Sequence, residues 1–226
     1  MKYDAWIEHI NKRSDCTEYL SHLTRRTSDK SALDVLIAIL NERTIRGSTT
    51  DSGFIIGKNR AVCFQEIPIH PLADNVAFEE ELSKKTRDNR IQWLDKWDQE
   101  INEDDWNISY RYEAFGIRVS KVDAFNKGAR PVVYGLTQEM KELLPAEEHW
   151  RIVNMDLRDP NNIVDWSHER EWRVRGDYDF DYEQIDVIVG SEYSKQLFIE
   201  YYTANNPDLL TKIKSIIVLK NMLSSH

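Results

Sequence analysis

The stretch HEREWRVRGDYDFDYEQIDVIVG, residues 168–190, decides the interpretation of the fold. Within it, Trp172–Val174 predicts a short strand and Asp177–Tyr182 a turn, while Ile185–Val189 is apolar apart from Asp186 and predicts a buried strand. Short strands of this kind, with helical segments elsewhere in the chain, favour an α+β fold over a doubly wound sheet.

Helical and strand patterns alternate irregularly through the rest of the chain. Apolar periodicity predicts helices over residues 2–13, Lys30–Asn41, Glu139–Leu144 and Ser194–Ala204. Further strands are predicted at Tyr19–Thr24, 60–67, 108–122, Val132–Tyr134 and Ile213–Leu219. Ser28 or Asp29 is the expected N-cap of the second helix, and residues 149–157 fit either a strand or a helix.

Length and composition describe one ordinary globular domain. The 226 residues, of mass 26.7 kDa, are 41% hydrophobic and 31% charged, so we expect a single domain over residues 1–226. Two cysteines, Cys16 and Cys63, are too few for a disulfide framework, and the charged N-terminus does not resemble a secretory signal. No stretch is long and apolar enough to span a membrane, and we expect a cytoplasmic protein with no membrane contact.

The net charge of −9 is concentrated in residues 74–106, which carry 5 basic and 11 acidic residues. This segment has no Gly or Pro and predicts mainly helix, with Trp93, Leu94 and Trp97 in one apolar stripe. One interpretation is a helical acidic insertion whose stripe packs on the core. The other is an acidic lid or a partner-binding element.

A charged cluster surrounds the predicted strand at Trp172. Alternation on a strand would direct Glu169, Glu171 and Arg173 to one face. Two carboxylates and a guanidinium beside a core are costly unless they are paired or functional. The cluster is therefore either an Arg–Glu network on a solvated face or part of a site.

Two further strands carry polar residues at positions where sites occur. His22 and Thr24 share one face of the first strand and offer hydrogen bonds to a planar amide, although a strand His is more often a structural residue. Gln65 and Glu66 follow an apolar run, and mark a strand end that opens into a loop. The chain has no Walker sequence, no strand-borne GxGxxG, no HExxH, no paired CxxC and no GxSxG, so we expect no metal site.

The order of these motifs resembles the ADP-ribosyltransferase-like toxins, which include the DarT family and similar abortive-infection proteins of phage defence. The resemblance is carried by HLT at 22–24, RTIRG at 43–47, VCFQEIPI at 62–69, YEAFGIRVSKVDAFNKGARPVVYG at 112–135 and the stretch from residue 168 to 190. It implies a split β-sheet with flanking helices that bends NAD, the co-substrate, into a cleft. The resemblance covers most of the chain and thins across residues 74–106 and over roughly the last 30 residues.

The resemblance also implies roles for individual residues. His22 and Thr24 would hold the nicotinamide amide, and Glu171, in Glu-Trp-Arg-Val, would be the catalytic carboxylate. Tyr19, Tyr110 or Phe64 would stack on nicotinamide. The other expected NAD contacts are Leu23, Arg25, Arg46, Gly47, Phe64, Gln65 and Arg130.

The chain departs from the DarT pattern after Phe64, where Gln65-Glu66-Ile67 stand instead of an early Arg. The arginine that holds the pyrophosphate must then come from elsewhere, and the candidates are Arg25, Arg26, Arg46 and Arg130. The implied activity is mono-ADP-ribosyl transfer, with RNA or DNA as the preferred acceptor and an antitoxin protein as a neutralising partner.

Two other functions stay open at the sequence level. Asp165, Glu171 and Arg173 loosely resemble the acid–acid–base constellation of a metal-dependent nuclease. A non-catalytic binding or antitoxin-like module is the third possibility, and residues 74–106 would then be its partner surface.

Overall fold

The protein is seen in a computed structural model that describes residues 1–102, 106, 108 and 110–223. The expected α+β class is confirmed. The helices are α1 Tyr3–Asn11, α2 Ala32–Glu42, α3 Ile69–Lys96, α4 Lys121–Asn126, α5 Thr137–Leu143, α6 Glu192–Asn205 and α7 Pro207–Lys212. The strands are β1 Tyr19–Leu23, β2 Thr44–Ile45, β3 Ala61–Gln65, β4 Gly116–Ser120, β5 Arg130–Pro131, β6 Val133–Gly135, β7 Ile152–Asn154, β8 Glu171–Arg175, β9 Tyr178–Asp179, β10 Ile185–Val189 and β11 Ser215–Val218.

Seven strands form the main sheet, in the order β11-β10-β4-β1-β3-β8-β5. The β10–β11 pair is parallel, and every other neighbouring pair in this sheet is antiparallel. One face carries the larger apolar core, which includes Leu20, Phe64 and Val187. Helices α2 and α6 pack on this core through Leu36 and Phe198, each 0% exposed.

The second helix begins later than its expected caps. Thr27 and Lys30 close a turn of their own, in which Thr27 N–H donates to the Lys30 carbonyl over 2.9 Å. Ser31 is therefore the N-cap: its hydroxyl accepts from Asp34 N–H, and the Asp34 carboxylate accepts from Ser31 N–H. The prediction of Ser28 or Asp29 as the cap was wrong.

The strand expected over residues 108–122 is much shorter than predicted. The chain turns just before β4, where Phe115 N–H donates to the Glu113 carbonyl over 2.8 Å, and α4 begins at Lys121 directly after the strand. Residues 107 and 109 lie outside the described part. The undecided residues 149–157 contain the end of a 3-10 turn at Ala146–Arg151 and then β7.

Helix α3 begins before the acidic segment 74–106 and ends within it, at Lys96; residues 103–105 of that segment lie outside the described part. Its first turns pack on the sheet through Leu72, Ala73 and Val76, which are nearly inaccessible to solvent. A helix of 28 residues extends for about 42 Å, so its far half reaches beyond the apolar core.

The apolar stripe of α3 does not pack on the core. Trp93 and Trp97 are each 58% exposed, and Trp106 is 56% exposed. The interpretation in which this stripe packs on the core was therefore wrong. The periodicity identified a helix correctly, but periodicity does not show whether a core lies beside the stripe. Among the described helices, none is both long and apolar enough to cross a membrane.

Removing the exposed indoles should leave stability nearly unchanged. We expect Trp93→Ala and Trp97→Ala each to change the free energy of unfolding by less than about 0.5 kcal/mol, since neither ring is buried. On the same helix, Leu72→Ala should cost about 2–5 kcal/mol because it opens a cavity under α3. Urea unfolding followed by circular dichroism measures both, and a tryptophan loss as large as that of Leu72→Ala would contradict this packing.

Candidate functional site

The main sheet is weakly joined between β1 and β3. Strand β1 pairs with β4 along its whole length, from Tyr19 to Leu23, but it pairs with β3 at the single position Ser21–Gln65. One residue further on, the His22 ring bonds to β3, with Nδ1 2.8 Å from the Cys63 carbonyl oxygen. We call this junction the β1–β3 seam.

The seam fixes the protonation of His22. A carbonyl oxygen can only accept, so the Nδ1 of His22 carries the hydrogen. Burial lowers the pKa of His22 below its ordinary value of 6.5, and the ring is neutral at physiological pH. Nε2 is then an acceptor, suited to a hydroxyl or amide N–H of a ligand.

Thr24 and Leu23 serve mainly to shape the end of β1. Thr24 is 4% exposed, and its hydroxyl lies 3.1 Å from the carbonyl oxygens of both Ala32 and Phe115. Its hydrogen is thus used to hold the start of α2 against β1. Leu23 packs with the apolar cluster beneath α3.

Phe64 lies in the core. It is 1% exposed and packs edge-on against His22 and Tyr178, with ring centroids 5.8 and 5.1 Å apart. The ring therefore has no exposed face on which nicotinamide could stack, as was expected for it. In this structure it packs against the His22 ring and supports it.

Glu171 begins β8 and is held by a buried arginine. Its Oε1 lies 2.7 Å from Arg173 Nε and its Oε2 3.2 Å from Nη2, and the carboxylate side chain is only 15% exposed. As predicted, both residues share one face of the strand. Glu169, expected on the same strand, lies instead in a 3-10 turn, and Arg170 between them adopts φ +44°.

Arg173 is tied to three backbone carbonyls as well. It donates to Trp150 O over 2.7 Å, and to Ile152 O and Phe54 O over 3.2 Å. These bonds attach β8 to two neighbouring segments, so Arg173 has a structural role that residue spacing alone did not indicate. Of the two interpretations of the charged cluster, the Arg–Glu network describes Glu171 and Arg173. The network lies on a largely buried face of the sheet, however, and not on a solvated one.

The register directs His22 and Glu171 to opposite faces of the sheet. Ser21, Gln65 and Glu171 stand directly across from one another in successive strands, so their side chains share a face. His22 follows Ser21 and projects to the other face, as its contact with Phe64 shows. The two predicted site residues are thus not brought together on one face. They lie on opposite faces of the sheet, on the two sides of the β1–β3 seam.

Gln65 and its neighbours form a polar cluster on the face of Glu171. The amide nitrogen of Gln65 donates to Glu169, whose carboxylate also binds Arg111 with 3.0 Å between Nη1 and Oε1. Trp166 stacks on Arg111, 4.2 Å from its guanidinium carbon. Gln65 Oε1 is buried and has no hydrogen-bond partner in the described part of the chain, so it is an unused acceptor on the residue that pairs with Glu171.

The sequence did not single out Arg111. The residue lies between Tyr110 and Tyr112 in a segment interpreted as a strand, and only the fold places it beside Glu169. A cation within a run of aromatic residues was the one available signal.

The candidate arginines near β1 and α2 differ in availability. Arg25 is exposed, and its side chain has no ion pair among the described residues. Arg26 binds buried Glu113, with 2.6 Å between Nη2 and Oε1. Arg46 pairs with Glu42 over 3.1 Å and with Asp177 over 3.4 Å.

Gly47 has a packing role. Its N–H donates to Asp177 over 2.9 Å, and a Cβ at this position would lie 2.2 Å from the Gly176 carbonyl oxygen. Any larger residue would force the two backbone segments apart, which accounts for this glycine without a ligand.

Arg130, the last candidate arginine, lies on β5 beside β8, where it stacks on Phe125.

The nuclease constellation is only partly assembled. Glu171 and Arg173 are together, but Asp165 caps a local turn by accepting from Ser167 N–H over 2.8 Å. In the part of the chain that is described, no group of three His, Cys, Asp or Glu side chains is arranged to hold a metal ion.

The pKa of His22 gives a pH test of the seam. Below pH 6.5 the unfolded chain takes up a proton at this residue while the folded chain does not, so stability should fall as the pH drops through that range. His22→Asn should flatten this dependence. Urea titrations at pH 5 to 8, with ¹⁵N spectra of the imidazole, measure it; a His22 titrating above 6.5 would contradict the neutral assignment.

The Arg173 bonds predict a large stability effect. Arg173→Ala should cost about 3–5 kcal/mol, because it leaves the Glu171 carboxylate buried without its partner. The control is Arg158→Ala, which removes an exposed pair with Asp156 and should leave the urea midpoint nearly unchanged. Equal midpoints for the two variants would refute the structural role of Arg173.

Comparisons of the chain with protein-family models, with curated proteins and with solved structures gave no significant match.

Proposed function

We propose that the protein is an NAD-dependent mono-ADP-ribosyltransferase that binds NAD across the β1–β3 seam and uses Glu171 as its catalytic carboxylate. The observation that carries the proposal is the interruption of the sheet at this seam. A neutral histidine lies on one side of it, and the row Ser21–Gln65–Glu171 lies on the other. A sheet opened at one junction is also what the sequence resemblance implies.

The residues at the seam fit a nicotinamide riboside by their hydrogen-bonding chemistry. The free Oε1 of Gln65 is an acceptor for a carboxamide N–H. The Nε2 of His22 is an acceptor for a ribose hydroxyl. Since these groups project to different faces, the ligand can reach both only when β1 and β3 separate at the seam.

Glu171 is prepared for the charge that develops in the reaction. Cleavage of the nicotinamide–ribose bond gives oxocarbenium character, which a fixed carboxylate stabilises. Arg173 holds the Glu171 carboxylate in one orientation through two hydrogen bonds. The same carboxylate can orient or deprotonate an acceptor hydroxyl or amine.

The acceptor and the cellular setting follow from the resemblance. We propose RNA or DNA as the acceptor, a cytoplasmic location, and a neutralising antitoxin protein that restrains the enzyme. The exposed side chains of Trp93, near the end of α3, and of Trp97 and Trp106, after it, give such a protein a surface to cover.

The decisive variant is Glu171→Gln, which keeps an acceptor for Arg173 but removes the charge. Transfer of label from NAD to RNA, DNA or protein should fall by at least about 100-fold, while NAD binding by calorimetry changes only a few-fold. The matched control is Asp186→Asn. Asp186 is also buried, and Arg118 holds it with both Nε and Nη2 at 3.0 Å.

The control separates chemistry from folding. Asp186→Asn should retain transfer within about threefold, because Asp186 lies on β10, which β4 and β1 separate from β3. Full transfer by Glu171→Gln, or an equal loss in both variants, would end the assignment of Glu171 as the catalytic carboxylate.

A second candidate function is a non-catalytic binding module, favoured by the exposure of Trp93, Trp97 and Trp106. Aromatic residues are enriched at protein interfaces, and a protein partner would cover this helix. The calorimetric titration with NAD separates the candidates, because the binding module predicts no NAD binding.

A further inference from the structure

A cavity of about 310 Å³ opens beside β5 and β8, on a protein whose net charge is −9. Its lining contains four cations but a single carboxylate, and we call it the basic cavity. The lining residues are Lys127, Gly128, Arg130, Glu148, Trp150, Arg151, Val174 and Arg175.

Neutral acceptors hold two of the cations in place. Arg130 Nη1 donates to the Phe125 and Ala129 carbonyls over 3.0 and 2.7 Å, and its guanidinium lies 4.0 Å from the Phe125 ring centre. These contacts fix the group without cancelling its charge.

Lys127 is anchored in the same way. Its Nζ donates to the Asp179 carbonyl over 2.9 Å and to Gln184 Oε1 over 2.7 Å. A cation held by dipoles alone keeps its full charge available for an anion.

The other two cations differ in their pairing. Arg151 binds Glu148 over 3.3 Å and also donates to the Pro131 carbonyl from Nε and Nη2. Arg175 is exposed and has no ion pair within the described residues. Elsewhere in the protein, Arg26, Arg118 and Arg173 each bind a carboxylate that is largely buried, whereas Lys127, Arg130 and Arg175 have no carboxylate partner among the described residues.

The wall of the cavity also contains an unused donor. Trp150 is 4% exposed, and its indole Nε1 has no hydrogen-bond partner among the residues that the structure describes. Buried indole N–H groups nearly always find an acceptor, so an unpaired donor on a lining residue supports a ligand site here.

We propose that the basic cavity is a binding site for a phosphate-bearing ligand, with Arg130, Arg175 and Lys127 as its cationic contacts. Guanidinium groups match the geometry of phosphate oxygens and bind them in pairs. The cavity is at the lower end of the size range of ligand sites, which suits one or two phosphates with an attached sugar. The inference does not depend on the role of Glu171, because it rests on this cavity alone.

Pyrophosphate is the first probe, titrated by calorimetry at low ionic strength. The wild-type protein should bind it, and Arg175→Glu should weaken binding at least tenfold. The control Lys212→Glu makes the same change of charge at an exposed residue of α7, and should change binding less than twofold. Arg130→Gln is a second variant on another strand, and it should also weaken binding. Absence of wild-type binding, or equal weakening by the control, would overturn the proposal.

Two further titrations, with NAD and with a 12-nucleotide single strand, distinguish the sources of the phosphate. If Arg175→Glu weakens NAD binding, the cavity receives the pyrophosphate of the dinucleotide. If it weakens oligonucleotide binding alone, the cavity receives the backbone of a nucleic acid. If it weakens neither, the assignment to a nucleotide phosphate is wrong. Binding of pyrophosphate by a protein that does not bind NAD would refute the proposed function and leave the cavity assignment standing.

Discussion

The single backbone pairing of Ser21 with Gln65 is the constraint on which the arrangement of this protein depends. It joins β11, β10, β4 and β1 on one side to β3, β8 and β5 on the other. Because side chains alternate strictly along a strand, this one pairing decides which residues face the core. Gln65 and Glu171 therefore project to one face and His22 to the other. Beside this pairing the backbone ladder between β1 and β3 stops, and the His22 ring bonds to the Cys63 carbonyl there.

Charged side chains inside the fold follow one rule. Arg173, Asp186 and Glu113 are nearly inaccessible to solvent, and each has a partner of opposite charge. This is expected, since an unpaired buried charge costs several kcal/mol. The same pairing gives Glu171 a fixed orientation, so one contact serves both the fold and the proposed chemistry. The cations of the basic cavity are closer to solvent, and two of them, Lys127 and Arg130, are held by carbonyls and not by carboxylates.

Two surfaces of opposite character are therefore available to ligands. The end of α3 and the residues after it present exposed tryptophans beyond the core. The basic cavity concentrates positive charge at the other end of the sheet order, beside β5 and β8. The acidic composition of the whole chain hides this cavity, because a sum of charges carries no information on where they lie. A small polyanion can still be drawn to such a local field at low ionic strength.

The sequence by itself determined the mixed α+β class and the positions of β1, β3, β8, β10, α1, α2 and α6, because apolar periodicity acts over a few residues. It also placed Glu171 and Arg173 on one face of a strand, which alternation alone dictates. It did not determine that Trp93 and Trp97 face solvent, that Arg111 reaches Glu169, or that His22 and Glu171 project to opposite faces. Those outcomes were decided by the tertiary structure, since they depend on which strands become neighbours and in what register, and such long-range contacts leave no local pattern in the chain.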